Sequence, residues 1–341
     1  MNLSELERMP SFALLGPGWS GASTTEGWTL LSDLQEHTGP DGLVLLGFED
    51  AADAARTWRA GSECSVQPVL DVPQSVVNAS ISREGYDASV CAIQAAIRAG
   101  DVYQVCLTRQ AALPSASGAA LLRQLCARGV PAYAAWVRLP DGTELVSGSP
   151  ELFFRVADGI VHTMPMKGTA APEREAELDS SEKDCAELAM ITDLLRNDLR
   201  AVCEPKTVCV QNARMKVRLS YAVQTVSHIT GTLAASNGPR DVLQALHPGG
   251  SITGAPKLAA IEKIRLLEPG PRGLYTGALG LVRGPHAVFS LLIRTAVKAR
   301  DGWHYGVGGG VTIDSVPRDE WAEMLVKLSA VARVEHGQAT L

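Results

Sequence analysis

The chain has few cysteines and histidines, and neither type forms a recognisable pattern. Its seven cysteines are Cys64, Cys91, Cys106, Cys126, Cys185, Cys203 and Cys209. No Cys-x-x-Cys pair and no His-Glu-x-x-His motif occurs in the 341 residues. An odd number of dispersed thiols is not typical of a disulfide framework or a zinc site. It favours a reducing compartment, for which we expect the cytoplasm.

Long apolar runs and basic blocks are also missing. No apolar stretch approaches the roughly 18 residues of a membrane-spanning helix, and Glu5, Glu7 and Arg8 interrupt the apolar core that a signal peptide would have. The 31 Lys and Arg residues are outnumbered by 37 Asp and Glu residues, giving a formal charge of −6. These absences argue against a membrane protein and a nucleic-acid-binding one. The 46% apolar and 20% charged residues are typical of a soluble globular protein.

Short apolar runs separated by turn residues predict many strands and few helices. The predicted strands are 12–15, 28–31, 43–48, 102–108, 132–139, 145–147, 152–156, 160–164, 208–210, 221–232, 274–282, 287–297 and 303–307. The predicted helices are 50–60, 84–100, one capped at 179–181 and ending near 200, and one that begins after Pro317 and ends before Gly337. Because strands and helices do not alternate strictly, the pattern predicts an α+β fold with large antiparallel sheets.

Two glycine-rich segments look like phosphate-binding loops but do not fit. Residues 249–257 (GGSITGAPK) have Ala255 and Pro256 where a P-loop needs Lys and Ser or Thr. Residues 306–310 (GVGGG), which we expect in a connection, are followed by Val311 where a dinucleotide-binding loop needs its last glycine. Each segment is either a tight turn or a place where the backbone approaches another group closely.

Charged residues on two predicted helices suggest a cation site. Glu320, Glu323 and Lys327 share one face of the last helix, and Glu187 lies on the helix that ends near residue 200. Carboxylates from two helices could hold Mg²⁺ together with a substrate carboxylate, or they could form solvated charged faces. Lys167 follows a strand in MPMKGT; it is either a nucleophile whose pKa is lowered in a desolvated pocket or an exposed loop lysine.

Seven blocks in a fixed order carry a family resemblance. They are SPELF (149–153), PMKGT (165–169), AELAMITDLLRNDL (186–199), PGGSITGAPK (248–257), IRT (293–295), GGGVTIDS (308–315) and EWAEMLVK (320–327). Together they resemble the chorismate-utilising family, which includes anthranilate, aminodeoxychorismate, isochorismate and salicylate synthases. The resemblance implies two large antiparallel β-sheets packed as a sandwich flanked by helices. It covers residues 81–335 as a chorismate-binding catalytic domain, with 1–80 as a variable part packed on the same fold.

The family also implies roles for site residues. Glu187 and Glu323 align with its Mg²⁺ carboxylates, and Glu320 lies beside them. The positions implied to hold the substrate, the dianion chorismate, are Arg294, Tyr275 and Lys327, with backbone around Gly168, Thr169, Ser251 and Gly309. An acidic chain would thus supply a metal and a few cations locally to bind a dianion.

Four positions bear on which reaction is catalysed. Lys167 aligns with the nucleophile proposed to attack C2 of chorismate in aminodeoxychorismate synthases, and Glu151 aligns with an acid/base carboxylate that would protonate the departing 4-hydroxyl. Gln104 replaces the water-activating lysine of isochorismate and salicylate synthases, which argues against both. Gln224 replaces a histidine that is nearly universal in the family, and an amide cannot relay a proton. We expect a transferase that makes 4-amino-4-deoxychorismate from chorismate and ammonia, for p-aminobenzoate and folate synthesis.

The source of ammonia and two alternative functions complete these expectations. No Gly-x-Cys-x-Gly-x-Gln motif of a glutaminase occurs in the sequence, so ammonia would come from solution or from a separate glutamine amidotransferase subunit. One alternative is amination to anthranilate or 2-amino-2-deoxyisochorismate. The other is a non-catalytic chorismate-binding homologue, which Gln224 suggests.

Overall fold

Two large antiparallel sheets hold most of the strands in the computed structural model, which describes residues 1–20, 27–70, 77–114, 116–170, 172–218, 223–329 and 331–334. The strands are β1 (Phe12–Leu15), β2 (Trp28–Ser32), β3 (Gln35–His37), β4 (Gly42–Leu46), β5 (Arg56–Arg59), β6 (Ser62–Val66), β7 (Asn78–Ala79), β8 (Gln104–Leu113), β9 (Tyr133–Arg138), β10 (Glu144–Ser149), β11 (Leu152–Ala157), β12 (Ile160–Thr163), β13 (Met166–Ala170), β14 (Cys209–Arg218), β15 (Val223–Thr232), β16 (Gly254–Ala255), β17 (Ala278–Arg283), β18 (His286–Leu291), β19 (Thr295–Ala299), β20 (Gly302–Val311) and β21 (Arg333–Val334).

Helices surround these sheets. They are α1 (Leu3–Leu6), α2 (Tyr86–Ala99), α3 (Gly118–Cys126), α4 (Glu177–Ser180), α5 (Glu182–Leu199), α6 (Pro239–Leu246), α7 (Gly250–Thr253), α8 (Lys257–Leu267) and α9 (Pro317–Ser329). Within the ranges given above, none of them is both long and apolar enough to cross a membrane.

The strand order defines the sandwich. The nine-stranded sheet runs β16-β8-β20-β19-β10-β9-β1-β2-β6, and the ten-stranded sheet runs β13-β15-β12-β11-β18-β17-β4-β5-β3, with β14 paired to β15. Both large sheets are antiparallel throughout, whereas the small pair β7–β21 is parallel. The prediction of an α+β fold with two large antiparallel sheets flanked by helices is confirmed.

The apolar run of β1 illustrates how the layers are held together. Leu15 packs between the sheets, in a cluster that includes Leu145 of the nine-stranded sheet and Leu279 of the ten-stranded sheet. Leu14 points the other way, into the cluster that contains Ile93 of α2. A strand buried on both faces reads as a continuous apolar run. Full burial of each such side chain contributes about 1.5–3 kcal/mol of transfer free energy.

Helix α5, which carries Glu187, begins where the sequence predicts it. The Ser181 hydroxyl accepts a hydrogen bond from the Asp184 backbone N–H at 3.3 Å, which is the usual contact of a helix N-cap. Glu182 and Asp184 complement the helix dipole in the first turn. Ile191 and Leu195, in the C-terminal half of α5, are buried in the core. The N-terminal half of the helix can therefore present polar side chains to the space between α5 and α9.

The predicted strand 287–297 is wrong in one instructive respect. It consists of two strands in different sheets, because β18 lies in the ten-stranded sheet and β19 in the nine-stranded one. The chain crosses between the sheets at 292–294, where Arg294 adopts a left-handed conformation with φ of 49°. Apolar residues continue through the crossing, so hydrophobicity alone gave no sign of it.

Other local predictions need correction. The predicted helix 50–60 is a single 3-10 turn, Ala52–Ala54, followed by β5, whose Trp58 is buried. The glycine-rich segment 306–310 is not a connection but the middle of β20, paired with β8. Strand 208–210 extends to Arg218, and α9 ends at Ser329, earlier than expected. Residues 221–222, 330 and 335–336, which fall in predicted elements, lie outside the described residues.

Strands from the first 80 residues enter both sheets. β1, β2 and β6 belong to the nine-stranded sheet, and β3, β4 and β5 belong to the ten-stranded sheet. The division into 1–80 and 81–335 therefore stays a prediction.

Candidate active site

A cleft of about 730 Å³ is lined by strands of both sheets and by helices α3, α5, α7 and α9. Twelve predicted site residues line it: Glu151, Lys167, Gly168, Thr169, Glu187, Gln224, Ser251, Tyr275, Arg294, Gly309, Glu323 and Lys327. The thirteenth, Glu320, lies just behind this lining, in contact range of Gly309. The fold thus brings side chains from distant parts of the sequence to one cavity.

Glu151 is a buried carboxyl group in the cleft wall. The residue comes shortly after the end of β10 and is 4% exposed. Its Oε1 accepts a hydrogen bond from the Ser251 hydroxyl at 2.8 Å. Burial raises the pKa of Glu151 to about 7, although the Ser251 hydrogen bond and the charges of Lys167 and Arg294 oppose the rise. Near neutral pH this group is therefore partly protonated and able to donate a proton.

Lys167 lies within strand β13 rather than in an exposed loop. Its Nζ is 3.9 Å from Glu187 Oε2, and its side chain is 15% exposed. Burial acts to lower the pKa of Lys167. The combined effect of Glu187, Cys106 and Glu151 in the opposite direction is larger, so the pKa lies above its ordinary value. In this arrangement Lys167 is an ammonium group, and it must lose a proton before it can act as a nucleophile.

The three glutamates of α5 and α9 are held by cations. Lys183 Nζ lies 2.8 Å from Glu320 Oε1, and Lys327 Nζ lies 2.8 Å from Glu323 Oε1. Burial raises the pKa of Glu187. Burial acts in the same direction on Glu323, but Lys327, Lys183 and Lys167 together lower the pKa of that carboxyl group. Glu187 and Glu320 are buried rather than solvated.

Two glycines of β20 make room for these carboxylates. A Cβ at Gly309 would lie 3.5 Å from Glu320 Oε2 and 3.8 Å from Glu323 Oε1. A Cβ at Gly310 would collide with the Glu187 carboxylate and the Gln104 amide. Of the two interpretations of this glycine segment, close approach of the backbone is the one that the structure supports.

The donor set fits a hard divalent cation in kind. Carboxylate oxygens are the protein ligands that Mg²⁺ prefers, and the β20 glycines allow these carboxylates to lie close to the strand. In the part of the chain that the structure describes, no three His, Cys, Asp or Glu side chains are close enough to ligate a metal ion as they stand. Here the lysines provide the counter-charges of the carboxylates, and the Gln104 amide donates a hydrogen bond to Glu187 at 2.6 Å.

Tyr275 and Arg294 lie on irregular backbone beside the strands. The Tyr275 ring packs against Gly306, where any Cβ would collide with it, and burial raises its pKa. Arg294 occupies the crossing between β18 and β19, where its carbonyl accepts a hydrogen bond from the Gly148 N–H at 2.9 Å. Lys327 also donates to the Gly308 carbonyl at 2.7 Å.

Gln224 is buried beside the lysine strand. It pairs with Thr169 across β13 and β15, and its Nε2 donates to the Thr169 hydroxyl at 3.4 Å. Gln224 therefore places an amide, which does not titrate, in the wall of the cleft.

Sequence reasoning missed several residues of the cleft. Lys183 precedes Glu187 by one helical turn, and this spacing could have revealed it. Tyr305 lies two residues from Val307 along the same strand face, but no motif marked it. Gln124 and Arg128 come from α3 and its end, a helix that was not predicted.

Comparison with known proteins shows the family of this chain. A family model described as chorismate binding enzyme matches residues 47–333. The aminodeoxychorismate synthase of Streptomyces pristinaespiralis is 37% identical over 305 residues, which are 85% of this chain and 42% of that protein. Anthranilate synthase component 1 of Streptomyces coelicolor is 35% identical over 271 residues, which are 75% of this chain and 53% of that protein.

A solved structure shares the fold. The menaquinone-specific isochorismate synthase of Escherichia coli has a TM-score of 0.78 at 17% identity, and the match covers 96% of this chain and 90% of that one. The chain spans only about two fifths to one half of the two curated relatives above. Since the family model covers most of its length, this chain belongs to the chorismate binding enzyme family.

Proposed function

We propose that the chain is an aminodeoxychorismate synthase component I, which converts chorismate and ammonia to 4-amino-4-deoxychorismate and water. The observation that carries the proposal is that the amine of Lys167, on a side chain that is 15% exposed, lines the same cleft as the buried carboxyl group of Glu151. A carboxyl group with a pKa of about 7 and an amine supply an acid and a nucleophile for replacing a hydroxyl group.

The reaction proceeds in two displacements on this proposal. Lys167 first releases its ammonium proton to solvent. Its neutral amine then forms a bond to C2 of chorismate, the ring double bonds shift, and the 4-hydroxyl leaves as water with a proton from Glu151. Ammonia then forms a bond to C4, the double bonds shift back, and the C2–Nζ bond breaks to restore the amine. The surplus proton of the ammonia nitrogen returns to Glu151, so atoms and charges balance.

Other residues bind the dianion and control its fate. Arg294, Tyr275 and Lys327 provide two cations and a phenol for its carboxylate and enolpyruvyl groups. A Mg²⁺ ion held by Glu187 and Glu323, with Glu320 nearby, would neutralise a substrate carboxylate and offset the negative charge that keeps Lys167 protonated. Gln224 supplies no proton for loss of pyruvate, which favours a product that keeps its enolpyruvyl group.

Ammonia delivery and location are part of the same proposal. A separate glutamine amidotransferase subunit would supply ammonia at low ambient concentration, and free ammonium salts would replace it in vitro. The cytoplasm is the compartment that we propose, in keeping with the dispersed thiols of the sequence.

Product analysis tests this function. The protein is incubated with chorismate, Mg²⁺ and ammonium, and the mixture is analysed by mass spectrometry with and without an aminodeoxychorismate lyase. We expect a 4-amino product that the lyase converts to p-aminobenzoate. Anthranilate or 2-amino-2-deoxyisochorismate would overturn C4 amination in favour of the anthranilate synthase alternative, which the 35% identity to such an enzyme keeps open. Unchanged chorismate at high ammonium would indicate the non-catalytic homologue.

A variant pair tests the covalent route. Lys167→Ala should abolish formation of the 4-amino product, because the adduct at C2 cannot form. Lys263→Ala removes a partly exposed lysine of α8 that pairs with Asp101, away from the cleft, and should leave the rate unchanged. If Lys167→Ala keeps the wild-type rate, the route through Lys167 is wrong even if the product is as proposed.

A further inference from the structure

A buried arginine, Arg272, lies directly behind the cleft. Its side chain is 2% exposed and is paired in a bidentate manner with the equally buried Glu268, through Nε at 2.9 Å and Nη2 at 2.8 Å. The guanidinium also stacks on the Phe48 ring, 4.4 Å from its centroid. Arg272 does not itself line the cavity, so it is not placed to contact a bound substrate.

The remaining donors of this guanidinium all go to residues that do line the cleft. Nη1 donates to the Ile252 carbonyl at 2.8 Å and to the Thr276 hydroxyl at 3.3 Å, and Nη2 donates to the Cys106 carbonyl at 2.8 Å. With the two bonds to Glu268, all five N–H groups of the guanidinium are used. One side chain therefore connects β8, α7 and the turn before β17.

The partner carboxylate extends the same connection. Glu268 Oε1 also accepts hydrogen bonds from the Thr108 backbone N–H at 2.8 Å and from its hydroxyl at 2.9 Å. Thr108 is a further lining residue on β8. The ion pair thus ties two positions of β8, Cys106 and Thr108, to the segment that follows α8.

These contacts lead to groups that would meet the substrate. Ile252 follows Ser251, whose hydroxyl bonds to Glu151. Thr276 follows Tyr275 and has φ of 63°, a conformation that is unusual for a β-branched residue and needs support from its surroundings. A shift of the guanidinium would therefore move the proposed acid and a proposed substrate contact together.

We propose that Arg272 is a positioning residue for the reaction: it sets the distance between the Ser251–Glu151 pair and Tyr275 without touching the substrate. The inference rests on the proposed function only in taking this cleft as the chorismate site. It does not depend on which carbon is aminated. A lysine cannot replace the guanidinium here, because an ammonium lacks the planar fork that reaches four acceptor groups at once.

A matched pair of variants tests the proposal. Arg138 has similar surroundings, since it pairs with buried Glu144 at 2.8 Å and donates to the carbonyls of Glu7 and Met9, but none of these groups lines the cleft. Arg272→Lys and Arg138→Lys are compared for thermal unfolding, for chorismate binding by calorimetry, and for kcat and KM of chorismate consumption.

We expect both variants to lose some thermal stability, but only Arg272→Lys to lose function. A displacement of the site groups by about 1 Å lowers kcat/KM and chorismate affinity by about tenfold or more, whereas Arg138→Lys stays within about twofold of the wild type. A folded Arg272→Lys protein with wild-type binding and kcat/KM would overturn the inference.

A double-mutant cycle separates positioning from general damage. If Arg272 acts through Ser251, the kcat/KM losses of Arg272→Lys and Ser251→Ala are less than additive in the double variant. Full additivity would show that Arg272 acts elsewhere. If Arg272→Lys does not fold, Glu268→Gln replaces it in the cycle, and wild-type kinetics in that variant would equally overturn the inference.

The outcomes also distinguish this inference from the proposed function. A wild-type protein that binds chorismate without consuming it contradicts the proposed function, and the binding comparison still tests Arg272. A wild-type protein that makes the 4-amino product while Arg272→Lys behaves identically contradicts the inference alone.

Discussion

Lys257 and Asp198 form a buried ion pair, with Lys257 Nζ 2.6 Å from Asp198 Oδ2 and both side chains about 15% exposed or less. The same Nζ donates to the Leu246 carbonyl at 3.2 Å. The pair joins the end of α5, the end of α6 and the beginning of α8, and so it closes the base of the segment that carries Ser251. Both residues belong to sequence blocks quoted for the family resemblance.

Breaking this pair should destabilise the protein. Lys257→Met leaves the Asp198 carboxylate without its counter-charge, and loss of one partner of a buried pair costs about 3 kcal/mol. Lys263→Met, in the exposed pair with Asp101, should cost less than about 1 kcal/mol. Urea unfolding of the two variants checks the prediction, and equal midpoints for both would contradict it.

Glu151 should make the stability of the fold depend on pH. Its pKa is about 7 in the folded state against 4.5 for an unperturbed glutamate, so between these values the folded protein binds more protons than the unfolded one. Its contribution to stability is therefore fully present below pH 4.5 and is lost as the pH rises through 7. The loss is on the order of 3 kcal/mol.

The comparison with Glu151→Gln isolates this effect. The variant keeps a similar shape but cannot ionise, so its free energy of unfolding, relative to the wild type, should increase between pH 5 and pH 8. Parallel stability curves for the two proteins over that range would show that Glu151 does not carry the raised pKa.

The two glycines beside the carboxylates should respond differently to alanine. At Gly310 a Cβ would collide with the Gln104 amide and the Glu187 carboxylate, and overpacking of this kind costs about 1–3 kcal/mol. At Gly309 the nearest atom, Glu320 Oε2, is 3.5 Å from the added carbon, so a methyl group fits. We expect thermal unfolding to shift downwards for Gly310→Ala and little for Gly309→Ala; the reverse order would contradict the arrangement of β20.

Restoring an imidazole at residue 224 should change the chemistry of the cleft. Gln224→His places a titratable group beside Thr169, and a general acid or base at a reacting centre contributes about 10²–10⁴ in rate. We expect faster ammonia-dependent consumption of chorismate than in the wild type, measured under saturating substrate. An unchanged rate, with Gln224→Asn equally active, would mean that this position only packs the wall.

Magnesium binding should depend on the glutamates of α5 and α9. Glu323→Gln removes a charge from the proposed ligand set and should weaken Mg²⁺ binding by about tenfold, as measured by isothermal calorimetry. Glu182→Gln, an exposed residue at the start of α5, is the matched control. Identical affinities for the two variants would exclude the proposed ligand set, and removal of Mg²⁺ with a chelator should abolish turnover of the wild type.

Much of the fold was predictable because its signals are local or ordered along the chain. The apolar run of β1, the Ser181 cap of α5 and the seven family blocks can each be recognised without coordinates. The break at 292–294 could not, since the apolar pattern runs through it without interruption. The glycines 306–310 resembled a turn because the groups that require them, Tyr275 and Glu187, come from remote parts of the sequence.

The candidate site divides in the same way. The side chains with a family motif were predicted to come together, and twelve of the thirteen line the cleft, with Glu320 just behind them. The electrostatic state of Lys167 was not predictable, because it depends on a 3.9 Å contact with Glu187 that no spacing encodes. No sequence pattern marked Arg272, because the cleft residues that it contacts accept its hydrogen bonds largely through backbone carbonyl groups, and every residue has one.

The crossing of the chain between β18 and β19 has a mechanical consequence. Arg294 is attached to the ten-stranded sheet on one side and to the nine-stranded sheet on the other, so the spacing of the two layers sets how far its guanidinium reaches into the cavity. The apolar side chains between the layers, around Leu279 and Val288, determine this spacing. If the proposed function is right, substitutions that change the packing between the sheets should alter chorismate affinity even though they lie away from the cleft lining.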